Sequence, residues 1–342
     1  MNVLSIIIIS FLYTYNLIIF YITYLAKKRG EIGAFINNLT NSIILITSIS
    51  INIVLLNLFN FRSREFIEFP FNFFLVGFFI FFLPFFYFFI SREKHRIKIR
   101  KKSNFSQEIQ SFTELPLKFD IYRKLTHFVV LGIVFFYFTL GIFIQNLFIS
   151  VEVDVMFFSQ NLVVFLVGIS LIGLLTADIV RILKPEIYPL KSVNQILREK
   201  ELHLRLGPHI SISIGCFSVI LLYGLFQPIG PVIICTSMIM SVFGDVTSNL
   251  IGRTIGRNKI RKTNKTYEGL FAGMIAAFFS GVIVLYILRN YYRFNILGLL
   301  LIPFIGMLVI GLLDYCDLEI DDNLSFNFFV STLLFFISIS IL

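Results

Sequence analysis

The chain has 342 residues, of which 57% are hydrophobic and 14% charged, against about 25% charged in an average soluble domain. Together with a mean hydropathy of +0.87, this composition excludes a water-soluble globular protein. The apolar runs, such as positions 69–90, are continuous and lack the alternation of membrane β-strands. The predicted fold class is therefore all-α, a polytopic membrane helical bundle.

Ten membrane spans follow from apolar length and from the charged or turn residues that end them. They cover positions 3–25, 41–61, 69–90, 125–148, 161–183, 209–226, 229–250, 268–288, 294–316 and 324–342. With the N-terminus outside, 25 of the 29 Lys and Arg residues fall in inside loops. The positive-inside rule therefore predicts this orientation. Because orientation explains the net charge of +9, no nucleic-acid partner is expected.

A basic stretch at positions 92–102 and the polar segment after it divide the chain near residue 115. Spans one to three carry almost no polar groups beyond Ser, Thr and Asn, so residues 1–115 are predicted to be an accessory transmembrane region with a basic inside loop. Residues 116–342 carry the charged motifs and are predicted to be the functional core.

Ionisable groups at the ends of spans four and five are the first candidates, because such a group at membrane depth costs about 2.5–3.5 kcal/mol. Span four begins with RKLTH, in which Arg123 and His127 lie one helical turn apart. An ordinary positive-inside flank is the alternative for the cations. Span five ends with Asp178 and Arg181, three residues apart, for which a structural ion pair is an equal alternative.

The stretch that follows span seven is the most informative. Asp245 ends an apolar run, with Ser248 and Asn249 one turn further on, and oxygen ligands on one helix face suit Mg²⁺. Gly252 and Gly256 would let the backbone approach a phosphate. The cations of this stretch are Arg253, Arg257, Lys259, Arg261, Lys262 and Lys265. A basic inside loop would explain these cations, but not the Asp245 and Glu268 that bracket them. No Walker A or G-x-G-x-x-G motif is present.

The inside loop between spans nine and ten has the opposite charge. It carries Asp317, Glu319, Asp321, Asp322 and then Asn323, without Lys or Arg. Simple charge balance is one interpretation. The other is that these carboxylates bind the metal of a nucleotide whose phosphates lie on the basic loop.

In their order, these motifs resemble those of the integral-membrane polyprenol and diacylglycerol kinase family, which includes dolichol kinases, phytol kinases and CTP-dependent diacylglycerol kinases. RKLTH is similar to the family's R-K-x-x-H, TADIVR to its D-x-x-R, and REKELHLRLG to its R-x-x-E…R-L-x-G. The block G-D-x-x-A-x-x-x-G-x-x-x-G-x-x-K…K-[ST]-x-E-G and the closing D-N-L-[TS] also have counterparts. The matching positions of these last two are Gly244, Asp245, Gly252, Gly256, Lys259, Lys265, Thr266, Glu268, Gly269, Asp322, Asn323, Leu324 and Ser325.

The resemblance covers about residues 120–335 and implies a lipid kinase. Such an enzyme transfers the γ-phosphoryl group of a nucleotide, expected to be CTP, to the hydroxyl of a polyprenol-type lipid alcohol or of diacylglycerol. Its partners would be a membrane lipid and a nucleotide. It would be a multi-pass protein of the cell membrane or endoplasmic reticulum membrane, with its active site on the cytoplasmic face.

The resemblance also implies roles for individual residues. Asp245 and Asp322 would hold Mg²⁺, and Glu268 would position the basic loop or a metal-bound water. The nucleotide would be bound by Gly252, Gly256, Lys259, Lys265, Thr266, Gly269 and Asn323. Positive charge at the transition state would come from Lys265, Arg123 and Arg181. His127 or Asp178 would accept the proton of the lipid hydroxyl.

Two other classes remain open. Phosphatidate cytidylyltransferases share the G-D…E-G block, but they have S-P-K-K-T and K-D-R-x-D-S where this chain has KTNKT and IDDNLS, which favours the kinase. A non-enzymatic transporter would place its ionisable residues near the bilayer centre. Here such residues cluster at span ends, with Asp314 as the buried exception.

Overall fold

A computed structural model describes residues 6–58, 71–100, 116–144, 155–188, 194, 197–260 and 263–341. Over these residues the chain is helical, with one isolated bridge between Lys259 and Thr266 and no strand. The helices are α1 Ile6–Lys28, α2 Ile32–Leu58, α3 Phe71–Arg100, α4 Leu117–Thr126, α5 Val129–Ile144, α6 Val155–Leu183, α7 Glu199–Leu202, α8 Pro208–Tyr223, α9 Ile229–Thr254, α10 Tyr267–Ile287, α11 Ile296–Cys316, α12 Asp322–Ser325 and α13 Ser331–Ser340.

The predicted fold class is confirmed, since each of the ten predicted spans overlaps a helix. Eight segments in the described part of the chain are long and apolar enough to cross a membrane, which indicates a multi-pass membrane protein. Two shorter apolar segments, Gly77–Arg92 and Pro208–Tyr223, correspond to predicted spans three and six. The number of crossings and the outside N-terminus stay predictions.

Positions 26–40, which separate the first two predicted spans and are expected to form an inside loop, are largely helical in the structure. The chain turns at Arg29 and Gly30, where glycine takes a φ of 75°, and α2 begins at Ile32. The sequence predicts the end of span one from the stop signal Lys27, Lys28 and Arg29. Asn37 and Asn38 lie in α2, where both are buried and their side chains hydrogen-bond inside the protein.

The predicted domain boundary near residue 115 lies outside the described residues. The structure divides into two compact units, each of which combines segments from both sides of that position. The first unit contains Met1–Ser42, Ile53–Arg123 and Phe138–Ile210, and the second contains Ile43–Asn52, Lys124–Tyr137 and Ser211–Leu342.

In the first unit, α1 and α3 pack on α6. Tyr15 of α1 and Thr176 of α6 share a hydrogen bond of 2.6 Å between their hydroxyl oxygens. The ring of Phe82 on α3 lies over Gly173 of α6, where a methyl group would be 3.4 Å away from it. Asn16 on α1 accepts a bond from Ser42 on α2 at 2.8 Å. Apolar faces and a few buried polar bonds thus hold these helices together.

In the second unit, α9 is the central helix. Its side chains are buried almost without interruption from Gly230 to Val246, whereas α10 and α11 each expose an apolar face. A helix that is apolar on every side belongs in the core. The following segment, α12 through α13, includes a π-helical turn at Phe326–Val330.

Glycines allow α9 and α10 to approach closely. A methyl group on Gly269 would lie 2.6 Å from the carbonyl oxygen of Ser248 and 2.9 Å from the Cα of Gly252. One on Gly273 would lie 2.8 Å from the carbonyl oxygen of Gly244. Small residues at such a contact let helix backbones pack without intervening side chains, as in other membrane helix pairs. We call this glycine-lined contact the α9–α10 seam, and it fixes the position of the loop between the two helices.

Candidate functional site

A lysine surrounded by three carboxylates forms the centre of the charged region in the second unit. The Nζ of Lys265 lies 2.9 Å from Asp314 Oδ1, 3.0 Å from Asp317 Oδ1 and 3.2 Å from Asp322 Oδ2. It also donates to the backbone oxygen of Asp314 at 3.3 Å. We call Lys265 with these three aspartates the lysine–carboxylate shell. It joins the α9–α10 loop to the end of α11 and the start of α12.

The shell keeps the lysine charged. Burial by itself lowers the pKa of Lys265, but the nearby carboxylates of Asp322, Asp314 and Asp317 outweigh it and hold this pKa well above its ordinary value. The ammonium group therefore remains protonated throughout the neutral range.

A second cationic contact surrounds Asp245 on α9. Lys124 Nζ donates to Asp245 Oδ2 at 2.5 Å, and His127 Nδ1 lies 3.1 Å from the same oxygen. The side chains of Lys124, Asp245 and His127 are all buried, with exposed fractions between 3% and 11%. The main chain makes this possible because α4 ends at Thr126 and a turn precedes α5. The RKLTH and GD motifs of the sequence thus meet at Asp245.

The Asp245 contact and the lysine–carboxylate shell belong to one charged region. Asp245 and Asp322 are close enough for their charges to interact, and Ser248 on α9 donates to Asp314 Oδ2 at 2.7 Å. Four carboxylates face two ammonium groups there, which leaves about two negative charges when His127 is neutral. The lysine–carboxylate shell lies where α11 ends and where α10 and α12 begin, whereas Asp245 lies within α9, nine residues before this helix ends at Thr254.

The region contains the kinds of oxygen ligand that the predicted Mg²⁺ would need. Carboxylate and hydroxyl oxygens are the ligands that Mg²⁺ prefers, and the ammonium of Lys265 stands in for a cation among them. As the side chains are arranged, however, no group of three or more His, Cys, Asp or Glu residues in the described part of the chain has metal-binding spacing. The assignment of Asp245 and Asp322 as metal ligands stays a prediction.

Glu268 holds the loop between α9 and α10. Its carboxylate accepts bonds from the backbone N–H of Asn258 at 3.1 Å and from the Asn258 side chain at 2.8 Å. The bridge between Lys259 and Thr266 and a bond from Ile260 N to Lys265 O, at 2.9 Å, close the same loop. The contacts of Glu268 are therefore with the loop backbone, in keeping with the loop-positioning role considered for it.

Four of the predicted nucleotide-binding residues form the junction of α9 and α10. Thr266 caps α10 by accepting from Gly269 N at 3.2 Å, and Gly252 faces Gly269 across the seam. A methyl group on Gly256 would lie 2.4 Å from Thr266 Oγ1. The structure gives these residues packing and capping contacts, and their phosphate roles stay predictions.

The remaining predicted nucleotide-binding residues differ in exposure. Lys259 is exposed, as is its neighbour Arg257, so both are accessible to an anionic ligand. Asn323 donates to Asp321 through its side chain at 2.6 Å and through its backbone at 3.0 Å, which caps α12. Arg261 and Lys262 lie outside the described residues.

Asp178 and Arg181 lie in the first unit, where they form a buried ion pair with 2.5 Å between Asp178 Oδ1 and Arg181 Nε. The other guanidinium nitrogens donate to the backbone oxygens of Glu201 at 2.7 Å and Arg205 at 2.8 Å. Asp178 Oδ2 accepts from Gly207 N at 3.0 Å. These contacts are those expected of the structural ion pair, the alternative that the sequence left open. They occupy the guanidinium nitrogens that a phosphate would need and the carboxylate oxygens that would accept a substrate proton.

Arg123 also belongs to the first unit. It pairs with Asp120 at 3.0 Å and Glu201 at 3.4 Å, and its side chain is only 7% exposed. Thus Arg123 and Arg181 both hold the segment around Glu201. The ion pairs of Arg123 with Asp120 and Glu201 occupy the guanidinium group that its predicted role in stabilising transition-state charge would require. That role stays a prediction.

Several residues that shape these clusters were absent from the predicted site. Asn38 on α2 donates to Leu204 O at 2.7 Å and accepts from Leu206 N at 2.9 Å, so it holds the segment after α7. Only a buried-asparagine pattern could have indicated it. Asp314 had a clear signal as a lone carboxylate within an apolar span, whereas Lys124 could not be told from an ordinary basic flank.

Comparisons with protein-family models, with curated proteins and with solved structures found no match to this chain. The family resemblance therefore depends on the sequence motifs alone.

Proposed function

We propose that this protein is an integral-membrane lipid kinase that transfers the γ-phosphoryl group of CTP to the hydroxyl of a polyprenol-type lipid alcohol or of diacylglycerol. The observation that carries the proposal is the convergence of three separate motifs in the second unit. Lys124 of RKLTH contacts Asp245 of the G-D…E-G block, and Lys265 of that block contacts Asp322 of the closing motif, so the three motifs lie in one region of alternating charge.

Phosphoryl transfer is chiefly a matter of positioning and charge stabilisation, which is the chemistry such a region supports. Asp245 and Asp322, with Asp314, would hold Mg²⁺, which when bound neutralises phosphate charge. The exposed Lys259 and Arg257 are available for the outer phosphates. His127, whose Nδ1 lies 3.1 Å from Asp245 Oδ2, is the remaining candidate to accept the hydroxyl proton, since both oxygens of Asp178 are bonded elsewhere.

The position of the charges favours an enzyme that acts on lipid headgroups. The lysine–carboxylate shell lies at the ends of α10, α11 and α12, next to apolar helix faces that include the exposed Phe271 and Leu312. A lipid alcohol carries its hydroxyl at this depth, and its hydrocarbon chain needs an apolar surface. A transporter is less favoured because its ionisable residues belong near the membrane midplane.

We further propose that this face is cytoplasmic and that the N-terminus is outside. The support is the distribution of Lys and Arg, which concentrates in the loops on this side. The cell membrane and the endoplasmic reticulum membrane both satisfy this arrangement.

The experiment determines which phosphorus atom of CTP is transferred to the lipid. Purified protein in lipid nanodiscs would be incubated with Mg²⁺, a panel of lipid alcohols and CTP labelled at the γ or at the α position. We expect lipid product labelled only from γ-CTP, with release of CDP. The Asp322→Asn variant is the inactive control. Label that arrives only from the α position, with pyrophosphate released, would instead establish a cytidylyltransferase.

A further inference from the structure

Three of the arginines that the structure describes in the first unit are buried, and they differ in how their charge is neutralised. Arg123 pairs with Asp120 at 3.0 Å, and Arg181 pairs with Asp178 at 2.5 Å. Arg205 is only 4% exposed, yet it forms no ion pair with a carboxylate among the described residues. A buried charge without a partner is costly. Arg205 therefore has the environment of a group whose counterion is a ligand.

The polar contacts of Arg205 are few and long. Its Nη1 lies 3.4 Å from the backbone oxygen of Gly33 and its Nη2 lies 3.5 Å from Asn37 Oδ1, and both of these oxygens are uncharged. Its Nε is buried and finds no hydrogen-bond partner in the part of the chain that the structure describes. A guanidinium group keeps its positive charge in proteins and can donate five hydrogen bonds. The edge formed by Nε and Nη2 is the two-donor edge that binds phosphate or carboxylate oxygens in pairs.

The surroundings of Arg205 favour an anion. Gly33 lies in the first turn of α2, a helix of 27 residues, and the first N–H groups of a helix lack acceptors within it and attract negative charge. The turn before Gly33 carries a single carboxylate, that of Glu31, and three exposed cations, which are Lys27, Lys28 and Arg29. Arg205 itself comes three residues before α8 begins at Pro208. At such helix ends a membrane protein meets the phosphates of lipid headgroups and the dissolved anions beside them.

We infer that Arg205, together with the first turn of α2, forms a binding site for a phosphate group. The edge formed by Nε and Nη2 would bind two of its oxygens, and the exposed cations of the turn before α2 would attract the anion. Inorganic phosphate and the headgroup of an anionic lipid present the same oxygens, so both are candidate sources. The site belongs to the first unit, and the inference does not depend on the proposed kinase activity.

Stabilisation by phosphate tests the site. Full-length protein, purified without phosphate in a neutral detergent, would be titrated with inorganic phosphate and its thermal unfolding followed, with sodium chloride of equal ionic strength as the reference. A ligand that binds the folded state raises the unfolding temperature. Arg205→Met should need at least about ten times more phosphate than the wild type for the same rise, because the variant loses a charged pair of donors.

The matched control is Arg92→Met, which removes an exposed arginine from α3 of the same unit. This variant should respond to phosphate as the wild type does. No phosphate effect on the wild type would overturn the inference, as would equal responses of the wild type and Arg205→Met.

A parallel titration with phosphatidic acid in the same detergent distinguishes the two sources. Stronger stabilisation by phosphatidic acid than by inorganic phosphate, again lost in Arg205→Met, would identify a lipid headgroup as the ligand. The reverse order, with the same dependence on Arg205, would identify a dissolved anion. Stabilisation by phosphatidic acid that Arg205→Met retains in full would overturn the lipid assignment.

A measurement on the wild type avoids any folding defect of the variants. Phosphate should slow amide hydrogen exchange at residues 31–37 and 203–207, measured by mass spectrometry. Residues 225–229, between α8 and α9, carry no cation and are the internal control. Exchange that stays unchanged at both segments, or that slows equally in the control, would contradict a phosphate site at Arg205.

Discussion

Asp245 combines a structural and a proposed chemical role, and the two are separable at the level of single residues. Its carboxylate is the partner of Lys124, whose side chain is 7% exposed. Loss of one member of a buried ion pair leaves an uncompensated charge, which commonly costs about 3–5 kcal/mol. The stability of the protein and its activity should therefore respond differently to changes at these two positions.

We expect Asp245→Asn to lower the unfolding temperature in detergent and to remove most of the phosphoryl transfer. Lys124→Met together with Asp245→Asn should recover part of the stability but none of the activity. Asp322→Asn, at a more exposed carboxylate, should lose activity with a smaller loss of stability. Near-normal transfer by correctly folded Asp245→Asn would remove the metal assignment of this residue.

If Asp245 and Asp322 act on one metal, their effects on activity are not additive. The double variant should then be little worse than either single variant, as for residues that work as a unit. Multiplied losses in the double variant would place the two carboxylates in separate roles.

At the level of secondary structure, the α9–α10 seam determines where the basic loop begins and ends. Gly269 lies against backbone atoms of Ser248 and Gly252, so an added methyl group would meet atoms that cannot move aside as a side chain can. The sequence indicated these glycines for phosphate binding, because spacing does not distinguish a glycine that packs on a helix from one that approaches a ligand.

Gly269→Ala should destabilise the protein by about 1–3 kcal/mol, the usual cost of overpacking, because the added methyl group meets backbone atoms. The matched control is Gly132→Ala on α5, where no atom lies within 4 Å of the new methyl group. Thermal unfolding should show the control unchanged or stabilised by up to about 1 kcal/mol. Equal effects of the two substitutions would argue against a tight seam.

The asparagines of α2 determine the shape of the segment after α7. Asn38 satisfies one backbone acceptor and one backbone donor, on Leu204 and Leu206, which are both buried. A single side chain thus takes the place of a strand or helix partner for this segment.

Asn38→Ala should leave two buried backbone groups unpaired, at about 1–3 kcal/mol for each. We expect a lower unfolding temperature and faster proteolysis near residue 204. Thr40→Ala is the control, since that hydroxyl donates to the backbone oxygen of Ile36 within its own helix. If both variants behaved alike, Asn38 would have no special role in holding this segment.

For the whole molecule, the alternation of long helices in the second unit determines which loops share a side. The loops after α9 and α11 supply the two halves of the charged region, so they must lie on one face of the membrane. The turn between α10 and α11 lies at the other end of these helices.

Cysteine labelling in intact cells tests this arrangement after Cys316, which is exposed, has been replaced by alanine. Arg257→Cys and Glu319→Cys should be protected from a membrane-impermeant reagent, and Arg293→Cys should react. Reaction of positions 257 and 319 from opposite sides would exclude a shared site, and reaction of both from outside would reverse the proposed orientation.

The composition and pattern of the sequence are enough to identify a helical membrane protein and to give the approximate positions of its spans, because hydrophobic length and charged boundaries are local properties. The resemblance of its motifs to those of a known family also predicted that Asp245, Lys265 and Asp322 act together, and their chemical roles stay predictions. The sequence did not indicate that the segment around Asn37 is helical, since an isolated sequence does not show which polar groups find partners.

The pairing of the charges, in contrast, is visible only in the folded protein. The three partners of Lys265 lie 49 to 57 residues away in the chain, and Lys124 is 121 residues from Asp245, so no local pattern relates them. Arg181 donates to backbone carbonyls, which leave no trace in the sequence. Pairings of this kind depend on the packing of distant helices, and that packing is what distinguishes a structural arginine from a phosphate-binding one.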